Sequence, residues 1–174
     1  MILRLSRYLR TVLVQNQDLV PLCSEMNHTQ DYVSIYQMSQ AMPILLDMEM
    51  DPAVETVPIP PLSVLTFVEN AVKHAASYGS PLHIQVRAEQ IAAPEGVFLH
   101  LSICDNGPGF SREDLDAFRS VSGSDEGNGH IGILNVMRRF QIIFGAKATV
   151  QCFNASGANV DIFLPIEKSE GQDA

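Results

Sequence analysis

Three stretches of the chain alternate apolar and polar residues with a period of two: PLHIQVRAEQ (81–90), VFLHLSICD (97–105) and ATVQCFNASGANVDIFLP (148–165). A fourth, PILLDMEMDP (43–52), sets Ile44, Leu46, Met48 and Met50 against Leu45, Asp47 and Glu49 and closes on Asp51–Pro52. Alternation of this kind describes a strand with one buried and one wetted face. Several such runs in one chain need a sheet whose apolar face is covered by something else. The last run contains its own turn and reads as a terminal hairpin.

Segments with helical spacing supply the cover. MILRLSRYLRTVLV places Ile2, Leu5, Leu9, Val12 and Leu13 on one stripe. VPLCSEMNHTQDYVSIYQMSQAM places Leu22, Met26, Val33, Tyr36 and Met38 at roughly helical intervals after Pro21, a good first-turn residue. VPIPP (57–61) is a stiff extended linker that stops any helix before it. From Leu62 to Tyr78 the chain is expected to be helical, with Leu62, Leu65, Val68, Val72 and Ala75 inward and Gly79 as C-cap. Another helix is expected to begin near Ile131. The intervening SREDLDAFRSVSGSDEGNG (111–129), rich in Gly, Ser and acid, predicts an exposed, mobile loop of the sort that closes over ligands. The order of elements predicts an α/β (α+β) two-layer sandwich: one mixed, mostly antiparallel sheet with helices on one face.

Composition narrows the function. With 174 residues, 46% of them hydrophobic and 18% charged, the chain has the size and balance of one ordinary globular domain. A net charge of −9 argues against a nucleic-acid partner, whose binding depends on many Lys/Arg–phosphate contacts. Cys23, Cys104 and Cys152 fit neither a zinc spacing nor a disulfide framework, which suggests a reducing compartment. No apolar run approaches the roughly 20 residues of a membrane span, and the N-terminus lacks a signal-peptide core. The chain as given is expected to be soluble.

Three segments carry chemistry. In LTFVENAVKHAA (65–76), Asn70, Lys73 and His74 lie three and four apart on one helix face, with Glu69 beside them. That face is either simply solvated or suited to Mg²⁺–phosphate, since an amide oxygen suits a hard cation and a lysine suits an anion. In CDNGPGF (104–110), Asp105 ends a strand, and Gly107 and Gly109 permit backbone geometries that a Cβ forbids. Taken alone this is a plain turn; in a pocket, Asp105 can accept a hydrogen bond from an exocyclic amine such as that of adenine. In GNGHIGILNVMRRF (127–140), a glycine-rich loop runs into a helix, whose free N–H groups make a phosphate site. The alternative there is a linker before an amphipathic helix with Arg138 and Arg139 solvated.

Together, and in this order, the segments resemble the nucleotide-binding domain of the gyrase–chaperone–histidine-kinase–MutL superfamily, most closely sensor histidine kinases of the LytS/YesM type. PPLSVLTFVENAVKH corresponds to the N box, DNGPGF to the G1 box and HIGILNVMRR to the G2 box; LSRYLR, the LCSE helix with Tyr32, and DIFLP extend the likeness over nearly the whole chain. The resemblance implies a Bergerat-type ATP-binding fold with ATP and Mg²⁺ as ligands. Asn70 would coordinate Mg²⁺, Lys73 and His74 would contact phosphates, and Glu69 would be the carboxylate beside them. Asp105 would bond the adenine amine on a wall shaped by Gly107, Gly109 and Phe110. Gly129, His130, Ile131 and Gly132 would lie at the lid and helix start, with Asn135 behind them; Arg139 would be structural or reach a phosphate. Three positions depart from the pattern: His130 stands where many members have glycine, Leu65 replaces a frequent glutamine, and Ala158 replaces a threonine whose hydroxyl would serve the phosphate side.

The resemblance also implies a division of the chain: 1–20 the remnant of a dimerisation helix, 21–168 the ATP-binding catalytic domain, 169–174 a tail. None of His28, His74, His83, His100 and His130 has the P-H-F context of a phosphoacceptor in this group. The expected whole is a homodimeric membrane-anchored sensor with this domain on the cytoplasmic side. It would pass the γ-phosphate of ATP to a histidine of its own dimerisation domain and then to a response regulator. A degenerate nucleotide-binding or docking scaffold without kinase activity is the competing expectation.

Overall fold

The alternating runs become the strands of one five-stranded sheet in a computed structural model that describes residues 18–39, 43–75, 80–119 and 131–166. The elements are β1 (Val20–Pro21), α1 (Leu22–Gln37), β2 (Ile44–Met50), β3 (Pro58–Ile59), α2 (Ser63–Ala75), β4 (Leu82–Ala93), β5 (Gly96–Asp105), α3 (Arg112–Arg119), α4 (Ile131–Phe144), β6 (Thr149–Asn154) and β7 (Ala158–Pro165). The strand order is β2-β4-β5-β7-β6. Only β2 runs parallel to its neighbour; the other three pairings are antiparallel. The mixed, mostly antiparallel sheet is thus the expected one.

Register explains the single core. Leu82, Ile84, Val86 and Ala88 on β4, Leu99, Leu101 and Ile103 on β5, and Val160, Ile162 and Leu164 on β7 are all buried. They meet Leu22, Met26 and Val33 of α1, Val64, Val68 and Val72 of α2, and Ile133, Val136 and Phe140 of α4 in one cluster. The opposite phase carries polar side chains, including His83, Arg87, His100 and Asp161. His100 there accepts or donates to Glu89 at 3.2 Å and Asp161 at 3.0 Å and stacks on Phe163 with ring centres 4.6 Å apart.

Four sequence expectations are corrected. VPIPP is not a free linker: Pro58–Ile59 pairs antiparallel with Val20–Pro21, and Ile59 is fully buried. Leu62 does not begin α2; it precedes it with φ 64°, a left-handed conformation unusual for leucine. Met38 is 65% exposed, while Glu25 on the same helix is wholly buried. The segment after the G1 turn is partly helical. Ser111 Oγ accepts the Asp114 amide proton and Asp114 Oδ2 accepts that of Ser111, both at 3.1 Å, a reciprocal cap that starts α3. Phe118 anchors α3 against Phe110, edge to face at 5.2 Å. Residues 120–130, with Gly129 and His130, lie outside the described residues, as do Gly79, residues 1–17 and the tail.

Candidate functional site

Asp105 is the last residue of β5, and the chain turns immediately after it. Its Oδ1 accepts the Gly107 amide proton at 2.7 Å and the Ala158 amide proton at 3.2 Å. Its other oxygen, Oδ2, is left without a hydrogen bond to a described residue. Burial pushes this carboxyl above its ordinary value of 3.8, against the opposing pull of those two amides and of the nearby His74. The result is a carboxylate fixed in direction with one oxygen open, the arrangement an amine donor needs.

Glycines make that fixation possible. A Cβ on Gly157 would sit 2.0 Å from the Asp105 carbonyl oxygen, so only glycine allows β7 to start so close to the end of β5. Gly109 has φ +79° and faces the Asn154 amide. Asn154, at the end of β6, accepts the Phe110 N–H and donates to the Phe110 carbonyl, each at 2.8 Å, and so clamps the G1 turn from both sides. Sequence reasoning missed Gly157 and Asn154 because both lie at strand ends whose pairing the sequence does not announce. Phe110, expected beside a nucleotide, is buried in the core. Ala158 contacts Asp105 through its backbone amide, at 3.2 Å.

The helix α2 brings the other segments in. Its C-terminal turn carries Lys73 and His74, the latter near enough to Asp105 for its charge to act there. Lys73 Nζ pairs with Glu69 Oε1 at 2.8 Å, an i,i+4 pair whose lysine is largely exposed. Asn70 is half-buried, one turn beyond Thr66 on the same face. A Cβ on Gly132 would lie 3.1 Å from the Thr66 methyl, so the start of α4 rests directly on α2 beside that face. Ile131, Gly132 and Asn135 are all exposed there. The G1 turn therefore lies towards the C-terminal turn of α2 and the start of α4 against its first turn, with Asn70 between them along the helix. Asp105 and Asn106 also bound a cavity of about 650 Å³ that extends towards α1 and β2 past Gln30, Gln37, Asp47 and His83.

Arg139 is turned the other way. Its Nη1 donates to the Pro61 carbonyl at 2.5 Å. Glu25 completes this second cluster: its oxygens accept the amide protons of Leu62 at 2.8 Å and Val64 at 3.3 Å, capping the N-terminus of α2. Sequence reasoning did not foresee a buried carboxylate at position 25.

A divalent cation would meet few side-chain ligands here. Among the described residues no three His, Cys, Asp or Glu side chains converge to hold an ion. What is present is one helix-borne amide, Asn70, with a carboxylate and an ammonium one position before and three after it. That set fits Mg²⁺, which keeps waters and takes most remaining oxygens from substrate phosphates. No helix among the described residues is long and apolar enough to cross a membrane.

The chain shares its family and its fold with known proteins. A family model described as "Histidine kinase-, DNA gyrase B-, and HSP90-like ATPase" matches residues 63–168. Sensor protein LytS of Bacillus cereus is 28% identical over 176 residues, covering 99% of this chain and 29% of the relative. Sensor protein kinase HptS of Staphylococcus aureus is 28% identical over 169 residues, covering 97% of this chain and 32% of the relative. The chain thus spans less than a third of the length of these curated relatives. Among solved structures, mycobacterial sensor histidine kinase MprB superposes with a TM-score of 0.57 at 18% identity, over 84% of this chain and 95% of that one. The blue-light activated histidine kinase of Erythrobacter litoralis gives 0.53 at 14% identity, over 97% and 54%. Both share the fold.

Proposed function

We propose, because the chain belongs to the histidine kinase-, DNA gyrase B- and HSP90-like ATPase family, that residues 21–168 bind ATP with Mg²⁺ as the catalytic domain of a sensor histidine kinase. The observation that carries this reading is Asp105: a carboxylate oriented by two backbone amides at a glycine-lined strand end, within reach of the helix that bears Asn70, Lys73 and His74. Asp105 Oδ2 receives the adenine amine. Asn70 supplies an amide oxygen to the cation, and Lys73, released from Glu69, turns to the phosphates. His74, whose charge reaches Asp105, would contact the phosphates from the same helix turn as Lys73. Gly132, with Gly129, His130 and Ile131 before it and Asn135 behind, marks the helix start whose N–H groups face anionic oxygens.

Magnesium neutralises phosphate charge and aligns the γ-phosphoryl group when it is bound. The chain's own residues bind and orient the nucleotide, and little covalent chemistry is asked of them. The acceptor would be a histidine of the parent protein's dimerisation domain, and the next recipient a response regulator. The parent would be a homodimeric membrane sensor with this domain in the cytoplasm. Titration with a fluorescent ATP analogue, with and without Mg²⁺, tests the reading. Saturable Mg²⁺-dependent binding is expected, whereas no binding at millimolar nucleotide would favour a docking scaffold.

A further inference from the structure

The turn that starts α2 is held from two sides by side chains remote from the open oxygen of Asp105. From α1, Glu25 is fully buried and accepts the Leu62 and Val64 amide protons. From α4, Arg139 donates to the Pro61 carbonyl, and its charge lies close enough to act on Glu25. Between these contacts Leu62 is held at φ 64°. A left-handed backbone costs a non-glycine residue about 1–2 kcal/mol and survives only where its surroundings impose it. One strained turn is therefore the meeting point of α1, α2 and α4. The path continues into the site: Thr66 Oγ1 donates to the Leu62 carbonyl at 2.6 Å, and its methyl bears on Gly132.

We infer that Glu25 and Arg139 are positioning residues for the nucleotide site, pinning the 60–62 turn so that α2 presents Asn70 and Lys73 at a fixed place beside the start of α4. The inference rests on the ATP reading above and adds two residues to it that touch no nucleotide. Lever geometry gives the scale. Asn70 lies seven residues beyond Ser63, about 10 Å along a helix rising 1.5 Å per residue, so a tilt of about 5° at the turn moves its amide by about 1 Å. A displacement of that size can cost a reaction about a hundredfold when it disturbs positioning. An exposed Arg–carbonyl bond would carry no such consequence. Here both ties are at least half-buried and converge on a residue with no freedom to relax.

The test is nucleotide affinity in the full chain, read with a fluorescent ATP analogue and Mg²⁺ at a temperature where circular dichroism shows each variant folded. Glu25→Gln and Arg139→Gln are each expected to weaken binding about tenfold. The double variant is expected to lose little more than the worse single, because both act through one turn. Ile162→Val, at a fully buried position of β7, serves as the control. It should lower the unfolding midpoint yet leave affinity within about twofold, which separates positioning from general loss of stability. Should Glu25→Gln fail to fold, Arg139→Gln at its half-buried position carries the comparison. Single variants that bind within twofold of the parent chain, or a control that weakens binding as much as they do, would overturn the tie. Absence of binding by the unsubstituted chain would instead overturn the ATP reading and the tie with it, a result visible before any variant is made.

Discussion

Glu25 Oε1 accepts the amide proton of Leu62 at 2.8 Å across 37 positions of sequence. The bond joins a helix that carries no nucleotide-binding residue to the first turn of the helix that carries four of the candidates. A helix N-terminus leaves amide protons without intrahelical partners. In α2 two of these go to a side chain from another element, so α2 is oriented by tertiary structure and not by a local cap.

This burial gives stability a pH dependence. Burial raises the Glu25 carboxyl above its ordinary value of 4.5, although the Leu62, Val64 and Leu65 amides and Arg139 oppose the shift. Between the ordinary and the raised value the native state holds the proton more tightly than the unfolded state. Glu25 therefore contributes stability that is fully present below about 4.5 and is lost as pH rises through the raised value. Urea unfolding of the parent chain and Glu25→Gln across this range should show the parent's midpoint gaining on the variant's towards acid. A constant difference would contradict it.

Asp105→Asn replaces an acceptor that faces an amine with a group that can present a donor. Loss of one hydrogen bond to a charged group corresponds to about 1.5–3 kcal/mol, or roughly ten- to a hundredfold in affinity. Titration with ATP should show at least that loss. The parent chain should also bind adenine nucleotides less well as pH falls through the raised Asp105 value, because protonation removes the acceptor's charge and puts an O–H donor towards the amine. Asp105→Asn should remove that acid limb. An unchanged affinity would end the adenine assignment.

Most of the architecture could be read in advance because period-two alternation is a strong constraint when one face is buried. Burial follows it from Leu82 to Ala88 on β4, from Leu99 to Ile103 on β5 and along β7. The three boxes could be read as well, through glycine, asparagine and aspartate at positions where a plain strand or helix does not favour them. What could not be read are pairs whose meaning depends on distant segments. Glu25 looks like any helix-surface acid until Leu62 and Arg139 are brought to it. Asn154 looks like a hairpin residue until the Phe110 backbone lies 2.8 Å away on both sides of the amide. Likewise Leu62 fitted the apolar stripe of α2 so well that periodicity alone assigned it to the helix.

Asn154→Ala should loosen the G1 turn. It removes at once the acceptor of the part-buried Phe110 N–H and the donor to its carbonyl, at about 1–3 kcal/mol for such a loss. Hydrogen exchange should show the Phe110 amide losing protection, with ATP affinity falling in parallel. Retention of Phe110 protection in the variant would mean the clamp is not what holds the turn.

Gly157 and Gly145 separate two reasons for needing glycine. Gly145 has φ +59° with open space around it, so Gly145→Ala meets only the left-handed penalty, about 1–2 kcal/mol. At Gly157 a Cβ would lie 2.0 Å from the Asp105 carbonyl oxygen and 2.7 Å from its carbon, backbone atoms that cannot rotate away. Gly157→Ala must therefore push the start of β7 off the end of β5, an overpacking cost of about 3 kcal/mol or more. The same shift breaks the Ala158 amide bond that orients Asp105. Urea denaturation should rank Gly157→Ala as the more damaging change. ATP titration should show weakened binding at position 157 and none at 145. The reverse ranking would mean that β7 can move away from Asp105 without consequence, and the carboxylate would then owe its orientation to Gly107 alone.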